Sequence, residues 1–369
     1  MEVEVVEPTL ARKLRAHAGF WTRSRGTGPL AVRSAYSGLA EIELPLAQGG
    51  SAPVGSILTP ESLSPDLLAA SEKPAAVTSM SVAGIPASQL KEAVTRLGDA
   101  FAVVAPFQRV PWMEAILGCK IRVGAESMWS EPWLDYPWNE NEVRLRPGNP
   151  WLAKLLDITR ALVRKWKPPV MVTQTLMRGP IDMMAAVLGN EQTVYALHDS
   201  PEECRRLLEI CTDAFIQVAK AQRELIPSFH DGHCSWFGVW APGSVVRTQC
   251  DASALIGPQW YESYVLPFDL AICRAFDYSV IHLHSGFLGT VEGLLNEDVP
   301  TAIQVAIDPG AFGPPPLELL PAFRRIMERK PLLIEGRLTQ RELDVLLSEL
   351  PPDGLFIGAA LAEEGAPIS

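Results

Sequence analysis

Three short apolar runs decide the fold of this chain: SVIHLHS at residues 279–285, AIQVAI at residues 302–307 and LLIE at residues 332–335. Runs of this kind are typical of parallel strands that are covered on both faces. Helical periodicity follows them in residues 317–329 and 340–350. The alternation predicts consecutive βα units.

The same alternation extends towards the N-terminus and to the end of the chain. Further strands are predicted at Phe101–Ala105, Val170–Leu176, His233–Trp240 and Leu355–Ile357, and further helices at 151–166, 201–225 and 261–276. An eighth strand is predicted within Ile121–Trp129. The pattern favours an α/β fold of the TIM-type (β/α)₈ barrel, with a doubly wound open sheet as the second architecture. Because neither G-x-G-x-x-G nor G-x-x-x-x-G-K-[ST] occurs, nothing indicates a Rossmann or P-loop nucleotide site.

The first hundred residues differ from the rest. Leu10–Phe20 has the pattern of a short basic amphipathic helix, whereas residues 47–88 are rich in Ala, Ser, Gly and Pro. We therefore predict an irregular N-terminal extension, residues 1–100, that packs on a barrel formed by residues 101–369.

Composition limits the class of protein. The chain has 369 residues, a net charge of -11 and 47% hydrophobic residues, as expected of a folded domain whose main partner is neither nucleic acid nor an anionic membrane. No run approaches the ~20 apolar residues of a spanning helix, and the acidic N-terminus does not resemble a secretory signal. The six Cys contain no CxxC pair, which indicates reduced thiols and a cytoplasmic location.

Histidines mark the candidate site. His282 and His284 are two residues apart on a predicted strand, so both imidazoles should face one side near its carboxyl end, where a barrel has its catalytic mouth. A His-x-His pair there suits a metal or an acid–base function. His233 and Cys234 are adjacent and on a regular strand would face opposite ways, so we expect at most one of them at the site.

Carboxylates at other strand ends complete the set of candidates. Asp182 follows the strand at 170–176, Asp251 follows an extended run, and Glu335 ends LLIE. Each lies where a barrel strand would deliver a side chain to the mouth. Asp308 precedes Pro309-Gly310 and is predicted to form a turn.

Several segments together resemble the uroporphyrinogen decarboxylase superfamily. They are residues 105–121 (APFQRVPWMEAILGCKI), Gly179–Asp182, His198–Glu203, Gln249–Asp251, Tyr264–Pro267 and Ile281–His284. The resemblance covers about residues 100–360 and implies a TIM-type barrel, a site in its mouth and a cytoplasmic location. The R-Q-A-G-R run of the true decarboxylases is absent, so Arg109 is the similarly placed basic residue and Glu131 stands in for their aspartate.

The superfamily also includes methylcobamide:coenzyme M methyltransferases, which hold zinc with a His-x-Cys pair and a later Cys. Here His282-x-His284 replaces the pair, and no Cys follows Cys273. The resemblance therefore implies a modified zinc site, a small-molecule substrate and a corrinoid protein as partner. The sequence leaves open whether the protein forms a homodimer.

Three functions are consistent with these residues: zinc-assisted methyl or one-carbon transfer, cofactor-free decarboxylation or lyase chemistry on a carboxylated substrate, and ligand binding without catalysis. The candidate catalytic residues are His282, His284, Asp251 and Asp182. The candidate metal ligands are His282, His284, His233, Cys234 and Glu335. The candidate substrate-binding residues are Arg178, Glu131, Trp236, Gln249 and Arg247.

Overall fold

A computed structural model describes residues 8–34, 53–64, 98–107, 110–124, 127–308 and 310–362. The strands are β1 Leu30–Ser34, β2 Ile57–Leu58, β3 Ala102–Val104, β4 Lys120–Val123, β5 Met128–Glu131, β6 Val170–Val172, β7 His233–Cys234, β8 Trp240–Ala241, β9 Val245–Gln249, β10 Tyr278–His284, β11 Ala302–Ala306, β12 Leu332–Leu338 and β13 Leu355–Leu361. The helices are α1 Pro8–Thr22, α2 Trp112–Ile116, α3 Pro150–Lys165, α4 Pro180–Leu188, α5 Asn190–Asp199, α6 Pro201–Leu225, α7 Leu266–Arg274, α8 Val291–Leu295, α9 Leu320–Met327 and α10 Gln340–Glu349. A helical turn, Pro258–Trp260, and a π-helical turn, Tyr261–Val265, precede α7.

The main sheet contains six parallel strands in the order β1-β13-β12-β11-β10-β9. Neighbours from β9 to β13 are consecutive in sequence, with helical segments in each connection, as the βα pattern predicts. Strands β3 and β6 form a separate parallel pair. The α/β prediction is therefore confirmed.

The predicted closed barrel is not confirmed, because the ladder between the described strands is interrupted. Between β6 and β9 the side chain of Gln174 replaces the ladder: its Nε2 donates to Arg247 O, and its Oε1 accepts from Arg247 N, both at 3.3 Å. Within the described ranges no ladder joins β1 to β3 either. The eight parallel strands thus lie in two hydrogen-bonded groups.

Two predicted strands are wrong. Residues 121–129 contribute to an antiparallel hairpin, β4–β5, which pairs with β2 and not with the parallel sheet. Residues 233–240 form the short antiparallel pair β7–β8, because Gly238, with a φ of +70°, reverses the chain between them. The parallel strand follows as β9, and all five of its residues are buried.

The N-terminal helix α1 packs against the β7–β8 hairpin. Trp21 Nε1 donates to Trp240 O at 2.8 Å, and Trp240 N donates to His17 Nδ1 at 2.9 Å. His17 Nε2 donates to Asp99 O at 2.7 Å, so both ring nitrogens have a hydrogen-bond partner. Burial lowers the His17 pKa to about 3. β1 lies within the predicted N-terminal extension but pairs with β13 in the main sheet. The domain boundary near residue 100 stays a prediction.

Burial follows the helical stripes that the sequence shows. On α6 the side chains of Cys204, Leu207, Cys211, Phe215 and Val218 are all fully buried. All six cysteines are buried and free. None of the described helices combines the length and the apolar character that crossing a bilayer requires.

Candidate metal and active site

Strand β10 delivers both histidines of the site to the carboxyl edge of the main sheet. His282 lies in register between Gln249 of β9 and Gln304 of β11, and His284 is the last residue of the strand. Since strand side chains alternate, both imidazoles face the same side while Ile281 and Leu283 are buried on the other. The expectation that the two rings share a face is met.

The two imidazoles face each other through their Nε2 atoms, which lie 3.3 Å apart. The opposite nitrogen of each ring is held: Nδ1 of His282 donates to Gln304 Oε1, and Nδ1 of His284 donates to Asp308 Oδ1 at 2.5 Å. With the protons on Nδ1, both Nε2 lone pairs point into the same space. Two lone pairs at this distance repel unless a cation or a proton lies between them.

Asp251 brings a carboxylate to the same point. It begins the 3-10 turn that follows β9, and its Oδ2 lies 3.8 Å from His284 Nε2. Gln249 Nε2 donates to the same oxygen at 2.6 Å. One ligand atom each from Asp251, His282 and His284 falls within 4.8 Å of the others, so these three residues form a candidate metal site.

The separation of the two imidazole Nε2 atoms is compatible with two ligands of a tetrahedral zinc ion. Zinc–nitrogen bonds of about 2.0–2.1 Å place two tetrahedral ligands about 3.3–3.4 Å apart, and the two Nε2 atoms lie 3.3 Å apart. The Asp251 oxygen lies 3.8 Å from His284 Nε2 and within 4.8 Å of the His282 ligand atom. Three protein ligands leave the fourth position for a substrate or water, which is the pattern of catalytic zinc sites. Gln304 and Asp308 supply the outer hydrogen bonds that fix the imidazole tautomers of such ligands.

Asp182 lies beside Asp251 in the first turn of α4. Its Oδ1 accepts from Ala252 N at 2.7 Å, and its buried Oδ2 has no hydrogen-bond partner among the described residues. Burial, reinforced by the Asp251 charge, raises the Asp182 pKa to about 7. A carboxyl group with this pKa can hold or release a proton near neutral pH.

Gly179 allows α4 to reach this position. A Cβ at residue 179 would lie 2.0 Å from Gln249 O, a contact that real side chains do not make. The missing side chain therefore lets the start of α4 touch the end of β9, and that contact places Asp182 next to Asp251.

Arg178 is a cation at the same strand ends, and its partner is a buried glutamate. Its Nη1 lies 3.1 Å from Glu114 Oε1, and Glu114 is only 1% exposed. Burial raises the Glu114 pKa, while the guanidinium opposes that shift. The Arg178 pKa is raised mainly by Glu114, with contributions from Asp182 and Asp251. Because its side chain stays 42% exposed, Arg178 can also contact a ligand.

Arg247 lies deeper, on β9 below the histidines. Its Nη1 donates to Gln249 Oε1, and burial lowers its pKa to about 10, opposed by Asp251 and Glu335. Gln249 thereby links Arg247 to Asp251. Glu335, on β12, is outside the group of ligand atoms that can share an ion and interacts electrostatically with Arg247.

The other predicted site residues lie elsewhere. His233 Nδ1 is 3.2 Å from Gly243 O, and Cys234 is buried in a second apolar cluster with Phe101 and Trp240. Gly243 precedes β9, so this pair lies at the amino ends of the strands, roughly the 16 Å length of a five-residue strand from the histidine site. The sequence analysis assigned His233 and Cys234 to a parallel strand, but they belong to the β7–β8 hairpin at the amino end of the sheet.

Two predicted substrate-binding residues are also separate from the histidines. Glu131 forms an ion pair with Arg122 Nε at 2.5 Å on the β4–β5 hairpin. Trp236 lies in the β7–β8 turn and packs in the main core at 7% exposure. Arg109 is outside the described residues.

Sequence reasoning missed two residues of the site, Gln304 and Glu114, and the role of a third, Asp308. Asp308 lies after β11, where its Oδ2 accepts from Gly286 N at 2.8 Å and its Oδ1 holds His284. The predicted turn includes Pro309, which is outside the described residues. Gln304 was detectable as the one amide inside an otherwise apolar strand, AIQVA. Glu114 was detectable as the one charge in the buried turn WMEAI.

Comparisons with known proteins bear on the fold. No family model matches the sequence, and no curated protein sequence matches it either. Among solved structures, a methyltransferase from Methanosarcina mazei is similar to this chain, with a TM-score of 0.59 and 15% sequence identity. The similarity covers 96% of this chain and 94% of that one. At this identity the comparison establishes a methyltransferase-like fold.

Proposed function

We propose that this protein is an enzyme that transfers a methyl or other one-carbon group to or from a small molecule, with zinc bound by His282, His284 and Asp251. The observation that carries the proposal is the pair of Nε2 atoms 3.3 Å apart, with each opposite nitrogen already held by an outer partner. The methyltransferase-like fold is consistent with this reaction.

The residues around the proposed zinc ion have separate roles. Bound zinc supplies a Lewis acid that lowers the pKa of a coordinated thiol or water. Gln304 and Asp308 keep both Nδ1 atoms protonated and both Nε2 lone pairs directed at one point. Gln249 holds Asp251 in place. Arg178, exposed beside the site, binds an anionic group of the substrate.

Methyl transfer also requires a place for a proton. The nucleophile loses a proton and uses its electron pair to bond the methyl carbon, and the donor keeps the electron pair of the bond that breaks. Asp182 Oδ2 is a suitable acceptor, because it has no hydrogen-bond partner among the described residues and its pKa lies near 7. Ala252 N keeps the other oxygen oriented.

The proposal extends to the family and to the partner. The eight parallel strands occur in two groups bridged by Gln174, which is consistent with an interrupted (β/α)₈ barrel. We propose that the chain is a divergent member of the uroporphyrinogen decarboxylase superfamily and that a corrinoid protein supplies or accepts the methyl group.

Metal content tests the zinc site directly. We expect about one zinc per purified chain and its loss in His282→Ala and His284→Ala. The matched controls are His198→Ala, which removes an exposed imidazole paired with Asp199, and His233→Ala, which removes a half-buried one; both should keep the metal. Less than about a tenth of an equivalent after expression with added zinc would contradict the proposal.

A second function is favoured by Asp182 and Arg178. In cofactor-free decarboxylation, Arg178 would hold the substrate carboxylate, carbon dioxide would leave without the bonding electron pair, and the resulting carbanion would take a proton from Asp182 or from one of the histidines.

An assay of methylcobalamin demethylation by small thiols distinguishes methyl transfer from decarboxylation. The visible spectrum of the cobalamin reports the reaction. Turnover that is lost on chelation supports methyl transfer, whereas carbon dioxide release that survives chelation supports decarboxylation. Ligands that raise the melting temperature without any turnover would indicate a binding protein.

A further inference from the structure

A basic cavity lies at the end of the fold opposite the histidine site. It has a volume of about 660 Å³, and its lining comes from the end of α1 and from the segments that lead into β11, β12 and β13. This is the amino edge of the main sheet. The volume falls within the range of roughly 300–1,000 Å³ of small-molecule sites.

The charged lining is mostly cationic although the whole chain carries a net charge of -11. Six charged side chains line the cavity: Arg23, Arg25, Arg329, Lys330, Asp298 and Asp353. Both acids are engaged, since Asp298 pairs with Arg274 at 2.7 Å and Asp353 Oδ1 accepts from Gly26 N at 3.1 Å. The local excess of positive charge is therefore not neutralised by the lining itself.

Two of the cations have unused donors. The side chains of Arg25 and Arg329 form neither a hydrogen bond nor an ion pair with any residue that the structure describes. Arg329 acts electrostatically on Glu292, whose two oxygens are already bonded to Arg325. Arg23 uses one Nη atom to bond Glu328 O at 3.1 Å and has further donors.

Lys330 adds a buried charge. It is 5% exposed, and its Nζ donates to Glu297 O at 2.9 Å and to Pro300 O at 2.8 Å. An ammonium group has three donors, so one remains. Asp298 and Glu297 act on this ammonium group electrostatically, but both are paired with Arg274, so an anion in the cavity would add compensation.

We propose that this cavity binds the phosphate group of a small phosphorylated molecule. Cations from two separate segments, Arg23 and Arg25 after α1 and Arg329 and Lys330 before β12, converge on one space. A tetrahedral oxyanion presents oxygens in several directions and suits such a set, whereas a planar carboxylate is satisfied by one guanidinium fork. The remaining volume accommodates the body of the molecule. The proposal is independent of the function of the histidine site.

Calorimetric titration of the full chain with inorganic phosphate, adenosine monophosphate and citrate tests the proposal. Both phosphates should bind, and the double variant Arg25→Ala/Arg329→Ala should bind each at least about tenfold more weakly, because it loses two charge-assisted contacts. Since neither arginine has a described partner, the variant should fold. Arg25→Gln/Arg329→Gln serves as a second variant of similar size. Arg341→Ala, an exposed arginine on α10, should leave the affinity unchanged.

Three outcomes would overturn the proposal. The first is no heat of binding for either phosphate up to about 10 mM. The second is equal affinity in the double variant, which would place the anion elsewhere, for example near Arg178. The third is tighter binding of citrate than of both phosphates, which would assign the cavity to carboxylates. A rise of the melting temperature with phosphate in the wild type but not in the double variant would support it.

Discussion

Asp308 Oδ1 accepts a hydrogen bond from Nδ1 of His284 at 2.5 Å, although the two residues are 24 positions apart in the sequence. The same carboxylate accepts from Gly286 N through its other oxygen. Asp308 therefore fixes both the loop after β10 and the tautomer of the imidazole at the end of that strand. Its contribution to the proposed metal site is to direct His284 Nε2 towards His282 and Asp251.

Replacing Asp308 should weaken metal binding without removing a ligand. We expect Asp308→Ala to lower the zinc affinity about 10–100-fold, the usual effect of losing an outer partner of a ligating histidine. Competition with a chromophoric chelator measures this affinity. Asp157→Ala, which removes an exposed carboxylate paired with Arg160, is the control. Unchanged affinity in Asp308→Ala would mean that His284 is not a ligand.

Gln304 should play the corresponding part for His282. Its Oε1 accepts from His282 Nδ1, while its buried Nε2 has no partner among the described residues. Gln304→Leu should therefore lower zinc affinity about 10–100-fold and change the free energy of unfolding little, because the leucine is of similar size and removes a buried unpaired amide. Parallel metal competition and urea unfolding separate these effects. A large loss of stability with intact metal affinity would assign Gln304 a structural role instead.

Asp182 should make stability depend on pH. Its folded pKa, about 7, lies above its ordinary value of 3.8, mainly through burial and also through Asp251, and opposed by Arg178 and Ala252 N. Between these values the folded protein keeps a proton that the unfolded chain has released, so the free energy of unfolding falls as pH rises. Below pH about 4 the contribution of the neutral group is complete.

Asp182→Asn removes this titration and keeps an acceptor for Ala252 N. The fall in unfolding free energy between about pH 4 and pH 7 should become shallower by up to about 1.4 kcal/mol per pH unit. Urea unfolding at several pH values measures the slope. The burial-raised pKa of Glu114 adds a slope of the same sign to both proteins and cancels in the comparison. Identical slopes would show that Asp182 ionises normally.

Glu114 and Arg178 should stabilise the folded protein only when both are present. Glu114 is 1% exposed, so Arg178→Met leaves its carboxylate buried without a cation and should lower the free energy of unfolding by about 2–3 kcal/mol. Protonation of Glu114 limits the loss, so the loss should be smaller at lower pH. The double variant Arg178→Met/Glu114→Leu should recover most of the stability. A double variant as unstable as the sum of the two single ones would rule out coupling.

Local sequence pattern determined much of the fold and the centre of the site. The helices on 150–165, 201–225 and 340–349 follow from their apolar periodicity, and strands β10 to β13 follow from continuous apolar runs. The orientation of His282 and His284 towards one side is likewise a local property, because strand side chains alternate with a period of two. Asp251 was identified from its position after an extended run.

Tertiary structure decided the rest, since those relationships join residues far apart in sequence. The hairpin at 233–241 differs from a parallel strand in its local sequence mainly by Gly238, and β9 follows it directly, so His233 and Cys234 were assigned to the wrong end of the sheet. Leu30–Ser34 is recognisable as a strand only through its pairing with β13. Asp308 orients His284, and Gly179 places Asp182 beside Asp251, only because packing brings the separate strand ends into contact.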